Sequence, residues 1–273
     1  MLIGIYANAE RDIGLAFTKR LKRELESEKI YCVIHDSVCR NIENARSFGN
    51  ACDPKPDIIV SLGGDGTILS AIAFAAPAGI PVMGINLGRM GFLTSMTADD
   101  NAVKSVVHIL LSGDFTVSER SMLCVRLDNK NYYALNEIVF YKQSLGKTVD
   151  VSVKVGRSHV AKYKADGFIV STPTGSTGWA LSAGGPIISP DINCLLLLPM
   201  NCHQLSARPV IACDSEPVTV TGGEAGSVIA DGKIIKDGVE SIVIVKSEFT
   251  AKLVTLNDFG FYERLTQKLG LAK

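Results

Sequence analysis

With 273 residues, 47% of them hydrophobic and 21% charged, the chain can form about two domains of ordinary size, each with its own core. Its 28 basic and 28 acidic side chains cancel, which argues against nucleic acid or an anionic membrane surface as a partner, so any anionic ligand must be met by local groups. The seven cysteines are odd in number and contain no C-x-x-C pair, the pattern of reduced thiols in a cytoplasmic protein, and the four histidines show no metal-ligand spacing.

The chain opens on a strand pattern, LIGIYAN, without the basic flank and cleavage site of a signal peptide. After the strand at Leu2–Ala7, a helix is expected from about Asp12 to Ser27, where Ile13, Phe17, Leu21 and Leu25 recur every four residues and Lys19, Arg20, Lys22 and Arg23 form the solvated side. Ile30–His35 reads as a second strand and residues 40–56 as a polar connection. The run DIIVSL (57–62) predicts a third strand, Ile68–Phe74 a helix and Ile80–Ile85 a fourth strand. This alternation implies an α/β domain with a parallel, doubly wound sheet, in which ligands collect beyond the carboxyl ends of the strands.

The loop GGDGT lies at such an end. Gly63, Gly64 and Gly66 leave the backbone uncovered so that its N–H groups can turn toward a phosphate, and Thr67 with the following helix adds a positive dipole end. Asp65 is a carboxylate inside this anion-friendly loop, which points to a metal or a reacting hydroxyl as its object. Gly-Asp-Gly is equally the chemistry of an ordinary strand-to-helix turn.

Thr97 can cap a helix running to about Leu111, with Asp99 and Asp100 in its first turn. Beyond Gly113 the chain consists of short β-like segments, and Asp-Gly pairs at Asp166, Asp231 and Asp237 fit hairpin turns. A β-rich, layered-sheet second domain is expected over 98–257, after an α/β domain over 1–97 that a C-terminal helix (258–273) rejoins. The apolar run Leu195–Leu198 is a buried strand, since a membrane helix needs ~20 such residues.

Four further clusters suggest chemistry. NLGRMGFL (86–93) places two glycines three apart just past a strand end, either a second backbone approach to a ligand or a plain loop. Asn136-Glu137 sets an amide beside a carboxylate, able to read an adenine edge and a sugar hydroxyl or simply to be solvated. DGFIVSTPTGSTGWALSAGGP (166–186) crowds Thr172, Thr174, Ser176 and Thr177 into a turn suited to a ligand with several oxygens, and Trp179 offers a flat face for a base unless it only packs in the core. HQLSARP (203–209) and Asp231-Gly232 complete the set, although turn formation alone explains the Asp-Gly pair.

Together these segments resemble the NAD kinase family in order and spacing along nearly the whole chain. GGDGT alone is shared with diacylglycerol and sphingosine kinases and echoes phosphofructokinases; NLGRMGFL, Asn136-Glu137, DGFIVSTPTGSTGW with LSAGGP, and LSARP are specific to NAD kinases. The resemblance implies transfer of a phosphoryl group from ATP to the adenosine ribose 2′-hydroxyl of NAD, with Mg²⁺ carried in on the donor rather than held in a protein cage, and a homotetramer built as a dimer of dimers. It implies Asp65 as proton acceptor and Gly66 as a ligand contact in the same loop. Asn136 and Glu137 match adenosine-side contacts, and Lys164 and Asp166 the basic-x-Asp positions before the hydroxyl turn. Thr177, Gly178, Trp179, Ala180, Leu181 and Ser182 match the dinucleotide-contacting segment, and Lys147 a contact in a variable loop. Lys164 leans toward NAD over NADH. The chain departs from the family at Gly178-Trp179, where Ala-Tyr is usual, and at Cys202-His203-Gln204, where Pro-His-Ser is usual. A lipid kinase would share GGDGT but needs an apolar acyl pocket or a basic membrane face; a sugar-phosphate kinase needs more arginines; a non-catalytic dinucleotide sensor has no need of Asp65.

Overall fold

A computed structural model describes residues 1–88, 90–144, 146–256 and 260–270. The chain divides into two compact units, residues 1–119 with 251–273, and residues 120–250.

In the first unit β1 (Leu2–Ala7), α1 (Ala16–Ser27), β2 (Tyr31–His35), α2 (Asp36–Cys39), β3 (Ser47–Phe48), β4 (Ile58–Gly63), α3 (Asp65–Ala78), β5 (Val82–Asn86), β6 (Met96–Thr97), α4 (Ala102–Ser112) and β7 (Thr116–Arg120) follow in order. The sheet runs β3-β2-β1-β4-β5, with β6 beside β5 and all of these pairs parallel. The strand order therefore reverses between β1 and β4, and the loop leaving β4 sits at that switch point, where open α/β sheets take their ligands. Every residue of β4 and β5 is buried, which is why both read as unbroken apolar runs.

The helix expected from Asp12 begins later. Ile13 is 83% exposed, and Phe17, Leu21 and Leu25 form the buried stripe with Thr18. Asp12 instead serves the helix start: its carboxylate, 3% exposed, accepts from Phe17 N at 2.8 Å, Thr18 N at 2.9 Å and Thr18 Oγ1 at 2.6 Å across a short 3₁₀ turn (Ile13–Leu15). The side chain thus satisfies amide donors that the first helical turn leaves open.

The second unit contains β8 (Leu123–Leu127), β9 (Lys130–Ala134), β10 (Glu137–Lys142), β11 (Val149–Val155), β12 (Ser158–Ala165), β13 (Gly167–Ser171), α5 (Trp179–Ser182), β14 (Cys194–Met200), β15 (Val210–Cys213), β16 (Val218–Ala230) and β17 (Lys233–Lys246). Ten strands form one antiparallel network in the order β15-β14-β13-β10-β16-β17-β8-β9, with β11 and β12 branching from β16. β10, β13 and β14 are buried on both faces: Phe140, Val170 and Leu197 enter one core while Val139, Ile169 and Leu196 enter another. Two-sided burial explains the run Leu195–Leu198. Only one of the three Asp-Gly pairs makes a hairpin. Asp231 (φ 46°) and Gly232 (φ 77°) turn β16 into β17, whereas Asp166 joins β12 to β13, and Asp237-Gly238 lies inside β17 opposite register shifts in β16.

The chain then returns to the first unit as β18 (Ala251–Thr255), which lies between β5 and β7, and α6 (Phe261–Leu269). The unit boundaries consequently differ from the 97/98 and 257/258 positions read from the sequence. α4 buries Ala102, Val103, Val106, Val107 and Leu110 in the core that holds Ile3, Ile5, Leu21 and Val254, so α4, β7 and β18 belong with the parallel sheet. Position 258, where the sequence reading starts the last helix, lies outside the described residues. No helix among the described residues is long and apolar enough to cross a membrane.

The cap at Asp12 is testable by urea unfolding. Asp12→Ala, which leaves three donors without their acceptor, is expected to lower stability by about 1–2 kcal/mol.

Candidate active site

Within the first unit, β4 ends at Gly63, the chain turns at Gly64, and Asp65 is the first residue of α3. Thr67 Oγ1 accepts from Gly64 N at 3.3 Å and tightens the turn. The Asp65 carboxylate reaches back to the connection after β5, where Oδ2 accepts from Phe92 N at 2.8 Å and Oδ1 from Leu93 N at 3.1 Å. This approach requires glycine at 91, because a Cβ there would lie 1.8 Å from Asp65 Oδ1. Gly91 N donates to Thr94 Oγ1 at 3.0 Å, and Leu87 N to Gly63 O at 2.8 Å, which ties the two loops together. From α6, Arg264 is 6% exposed and donates through Nη1 to Phe92 O at 3.1 Å and Thr94 O at 2.8 Å.

The backbone of NLGRMGFL, read from the sequence as a possible approach to a ligand, approaches the chain's own Asp65 carboxylate. Two glycines beyond a strand end were its sequence signal. Arg264 had only a faint one, its i+3 spacing from Phe261 and its place beside Leu265 on an otherwise polar helix. Of the phosphate-loop residues, Gly63 and Thr67 are buried, Gly64 and Asp65 half-buried, and Gly66 exposed.

The second unit gathers Asn136, Glu137 and the segment Thr177–Ser182. Asp231 organises them: its carboxylate accepts from Leu135 N at 2.8 Å, Asn136 N at 2.8 Å and Glu137 N at 3.2 Å. The β-like run from Tyr132 to Tyr141 is split there into β9 and β10, because these three amides bond a side chain instead of a neighbouring strand. Glu137 is 5% exposed, and its Oε2 is buried without a hydrogen-bonding partner. Burial, then the neighbouring Asp231 carboxylate, raise its pKa to about 8 against the lowering effect of the Trp179 N–H. Asp231 is itself raised to about 6, where desolvation outweighs its three amide donors. Gly178 packs against this pair, and a Cβ there would meet Glu137 Oε2 at 3.0 Å and Asn136 Nδ2 at 3.3 Å.

The hydroxyl-rich turn is used mostly within the fold. Ser171 Oγ donates to Asn136 O at 3.1 Å, Thr172 Oγ1 to Leu135 O at 2.6 Å and Thr177 Oγ1 to Thr174 O at 3.2 Å. Ser176 Oγ donates to Ile188 O at 3.2 Å and accepts from Ile188 N at 3.0 Å. The Ser171 and Thr172 bonds seat the turn on the Leu135-Asn136 backbone, and Ser176 ties it to Ile188. Trp179 is half-buried, packs against the core that holds Val139 and Ile169, and lies 6.4 Å from the Tyr141 ring. Ala180 is buried, Leu181 half-buried and Ser182 exposed.

The remaining residues are less convergent. The Asp166 carboxylate bonds Lys142 Nζ at 2.5 Å and Asn201 Nδ2 at 2.9 Å, partners that hold its pKa below the usual carboxylate range. Lys142 Nζ also donates to Lys147 O at 2.8 Å, which fixes the Lys147 backbone and leaves its side chain exposed. Lys164 is exposed on β12, and its N–H donates to Gln204 Oε1 at 3.1 Å, so the Gln204 of HQLSARP extends the strand edge. Among the described residues no three His, Cys, Asp or Glu side chains gather as a metal set.

The raised acids fix a pH dependence. Glu137 retains its proton in the fold and loses it in the unfolded chain at lower pH, so its contribution to stability is present below pH 4.5 and declines as pH rises toward about 8. Asp231 acts with the same sign between 3.8 and about 6. Urea midpoints are expected to fall from pH 5 to pH 8, with a shallower fall in Glu137→Gln.

Two family models cover the chain, the ATP-NAD kinase N-terminal domain over residues 3–115 and the ATP-NAD kinase C-terminal domain over residues 135–256. The NAD kinase of Heliobacterium modesticaldum is 40% identical over 223 residues, 78% of each chain. That of Natranaerobius thermophilus is 35% identical over 280 residues, 98% of this chain and 97% of its own. The crystal structure of an NAD kinase from Archaeoglobus fulgidus in complex with ATP superposes with a TM-score of 0.80 at 27% identity, covering 99% of both chains. Yeast NADH kinase complexed with NADH shares the fold, with a TM-score of 0.83 at 21% identity over all of this chain and 88% of its own. With both domain models matched and relatives this similar along almost its full length, the chain belongs to the NAD kinase family.

Proposed function

We propose that the enzyme transfers the γ-phosphoryl group of ATP to the 2′-hydroxyl of the adenosine ribose of NAD, giving NADP. The observation that carries this reading is Asp65 at the switch point of the parallel sheet, a single carboxylate fixed by two amide donors on the first turn of a glycine-led helix. Phosphoryl transfer passes through a loose transition state, so positioning and charge stabilisation do most of the work and one carboxylate suffices at the attacking oxygen.

Each Asp65 oxygen accepts one amide and keeps a second lone pair. As the O2′–phosphorus bond forms and the bond from the γ-phosphorus to the bridging oxygen breaks, the hydroxyl proton passes to Asp65. Gly63, Gly64, Gly66 and Thr67 form the phosphate-facing turn, where the amides of the first turn of α3 meet negative charge. Asp65 is the residue of this turn that would meet a Mg²⁺ ion brought in with the donor, and the ion would supply neutralisation of phosphate charge. No larger set of protein ligands gathers among the described residues.

In the second unit, Asn136 offers an amide donor and acceptor. Glu137, with a pKa of about 8, is a neutral acid near pH 7 and can donate as well as accept. Its partnerless Oε2 supports a ligand hydroxyl or base edge as the missing partner. Thr177, Gly178, Trp179, Ala180, Leu181 and Ser182 form the dinucleotide-contacting segment, and Lys147, Lys164 and Asp166 belong to the proposal as further ligand contacts. A homotetramer belongs to the same proposal, supported by exposed apolar side chains on the strands of the second unit: Ile211, 57% exposed, and Val243, 50% exposed. Seven unpaired thiols support a reducing, cytoplasmic setting.

The central test offers the purified protein ATP and Mg²⁺ with NAD, NADH, diacylglycerol or fructose 6-phosphate separately; NADP from NAD is expected, and phosphorylated lipid without NADP would defeat the proposal. Asp65→Asn keeps the shape and can still bond a hydroxyl, but it accepts no proton. Its kcat is expected to fall about 10²–10⁴-fold with little change in the calorimetric Kd for NAD. NAD is expected to quench the fluorescence of Trp179, the only tryptophan, and Trp179→Ala to weaken NAD binding by roughly 1–3 kcal/mol; unchanged fluorescence and affinity would leave Trp179 a packing residue.

A further inference from the structure

The buried guanidinium of α6 has a more specific geometry than helix docking requires. Arg264 is 6% exposed, and its Nη1 donates to two carbonyls, those of Phe92 and Thr94. The Phe92 carbonyl and the Leu93 N–H belong to one peptide group. That group accepts from Arg264 at 3.1 Å on one side and donates to Asp65 Oδ1 at 3.1 Å on the other. Phe92 N donates to Asp65 Oδ2 at 2.8 Å, so the segment held by Arg264 is the segment that holds the carboxylate.

Hydrogen bonds in series polarise one another, and a cation on the carbonyl strengthens the donor on the same peptide group. A buried charge satisfied only by neutral carbonyls is costly, and an apolar side chain would fill the same volume at less expense. The charge that offsets the cost is Asp65. Burial pulls the Arg264 pKa down, and the carboxylate pulls it back up. A second contact from the same helix reaches the same segment, with Lys268 Nζ 4.1 Å from the centre of the Phe92 ring.

We propose that Arg264 is a positioning residue for phosphoryl transfer, acting on Asp65 through the Phe92–Leu93 peptide group and touching neither substrate. The C-terminal helix is then part of the catalytic apparatus. The inference rests on Asp65 being the proton acceptor, and it makes the kinetic effect of Arg264 conditional on that carboxylate.

The test is a double-mutant cycle in the full-length enzyme with Arg264→Met, Asp65→Asn and both together, each checked for wild-type thermal unfolding and calorimetric NAD binding. Arg264→Met is expected to lower kcat about 10–100-fold, the scale of a displacement near 1 Å at a reacting group, with the KM for NAD little changed. In the Asp65→Asn background the same substitution is expected to cost almost nothing, because the group it positions is already disabled. Arg264→Lys, which can still reach a carbonyl, is expected to fall between wild type and Met, and it carries the test if the Met variant does not fold. Equal losses from Arg264→Met with and without Asp65, or a loss confined to thermal stability, would overturn the inference. Normal turnover in Asp65→Asn alone would instead overturn the assignment of the base.

Discussion

A carboxylate at the head of α3 accepts two amide hydrogens from a segment 27 and 28 residues further along the chain. That single requirement constrains much of the first unit. The segment must return to the carboxyl end of β4, which places it directly after β5, the neighbouring parallel strand. It must present its backbone, so residue 91 has no side chain. Its carbonyls then face the other way, and buried carbonyls need donors, which α6 supplies after the chain has passed through an entire second unit and come back.

The same physical device recurs at two other places where the chain leaves regular structure. Asp12 takes amides at the start of α1, and Asp231 takes three where β9 gives way to β10. Each aspartate replaces a missing strand or helix partner, and in each case a charged acceptor bonds more strongly than a neutral one. The three differ in their neighbours. Asp12 serves only the scaffold, whereas Asp231 lies close enough to Glu137 to add to the rise in its pKa that burial begins, so the device that shapes the Asn136-Glu137 edge also bears on its electrostatics.

Much of this arrangement could be read from residues alone, for identifiable reasons. β1, β4, β5 and β14 are buried on both faces and appear as plain apolar runs, and GGDGT sits where a strand-helix alternation puts ligands. Errors arose where a side chain overrode a periodicity. Ile13 fits the heptad-like spacing of α1 yet is exposed, because Asp12 starts the helix after it. Tyr132–Tyr141 is rich in β-forming side chains yet breaks at Leu135-Asn136, because an aspartate 95 residues away claims the amides. Hydroxyls at 171–177 looked ligand-directed from composition, but composition carries no direction, and most of them point into the fold. Arg264 left only a faint signal for the same reason: a lone arginine on a polar helix resembles every solvated one.

The place of β18 between β5 and β7 has a consequence for how the protein is made. Synthesis proceeds from the N-terminus, and the first 119 residues emerge without the strand that completes their sheet. A nascent chain of that length leaves the edge of β5 that β18 will take paired only at Ile85 and Asn86, by β6, and leaves β7 without its link to the parallel sheet. Unpaired edges of this kind are where chains associate wrongly. The second unit, by contrast, is one continuous stretch of chain and can close as soon as residue 250 leaves the ribosome. The part of the enzyme that begins first on the ribosome is thus the part that finishes last, and its glycine-rich loop reaches its final surroundings only after translation has delivered the C-terminus.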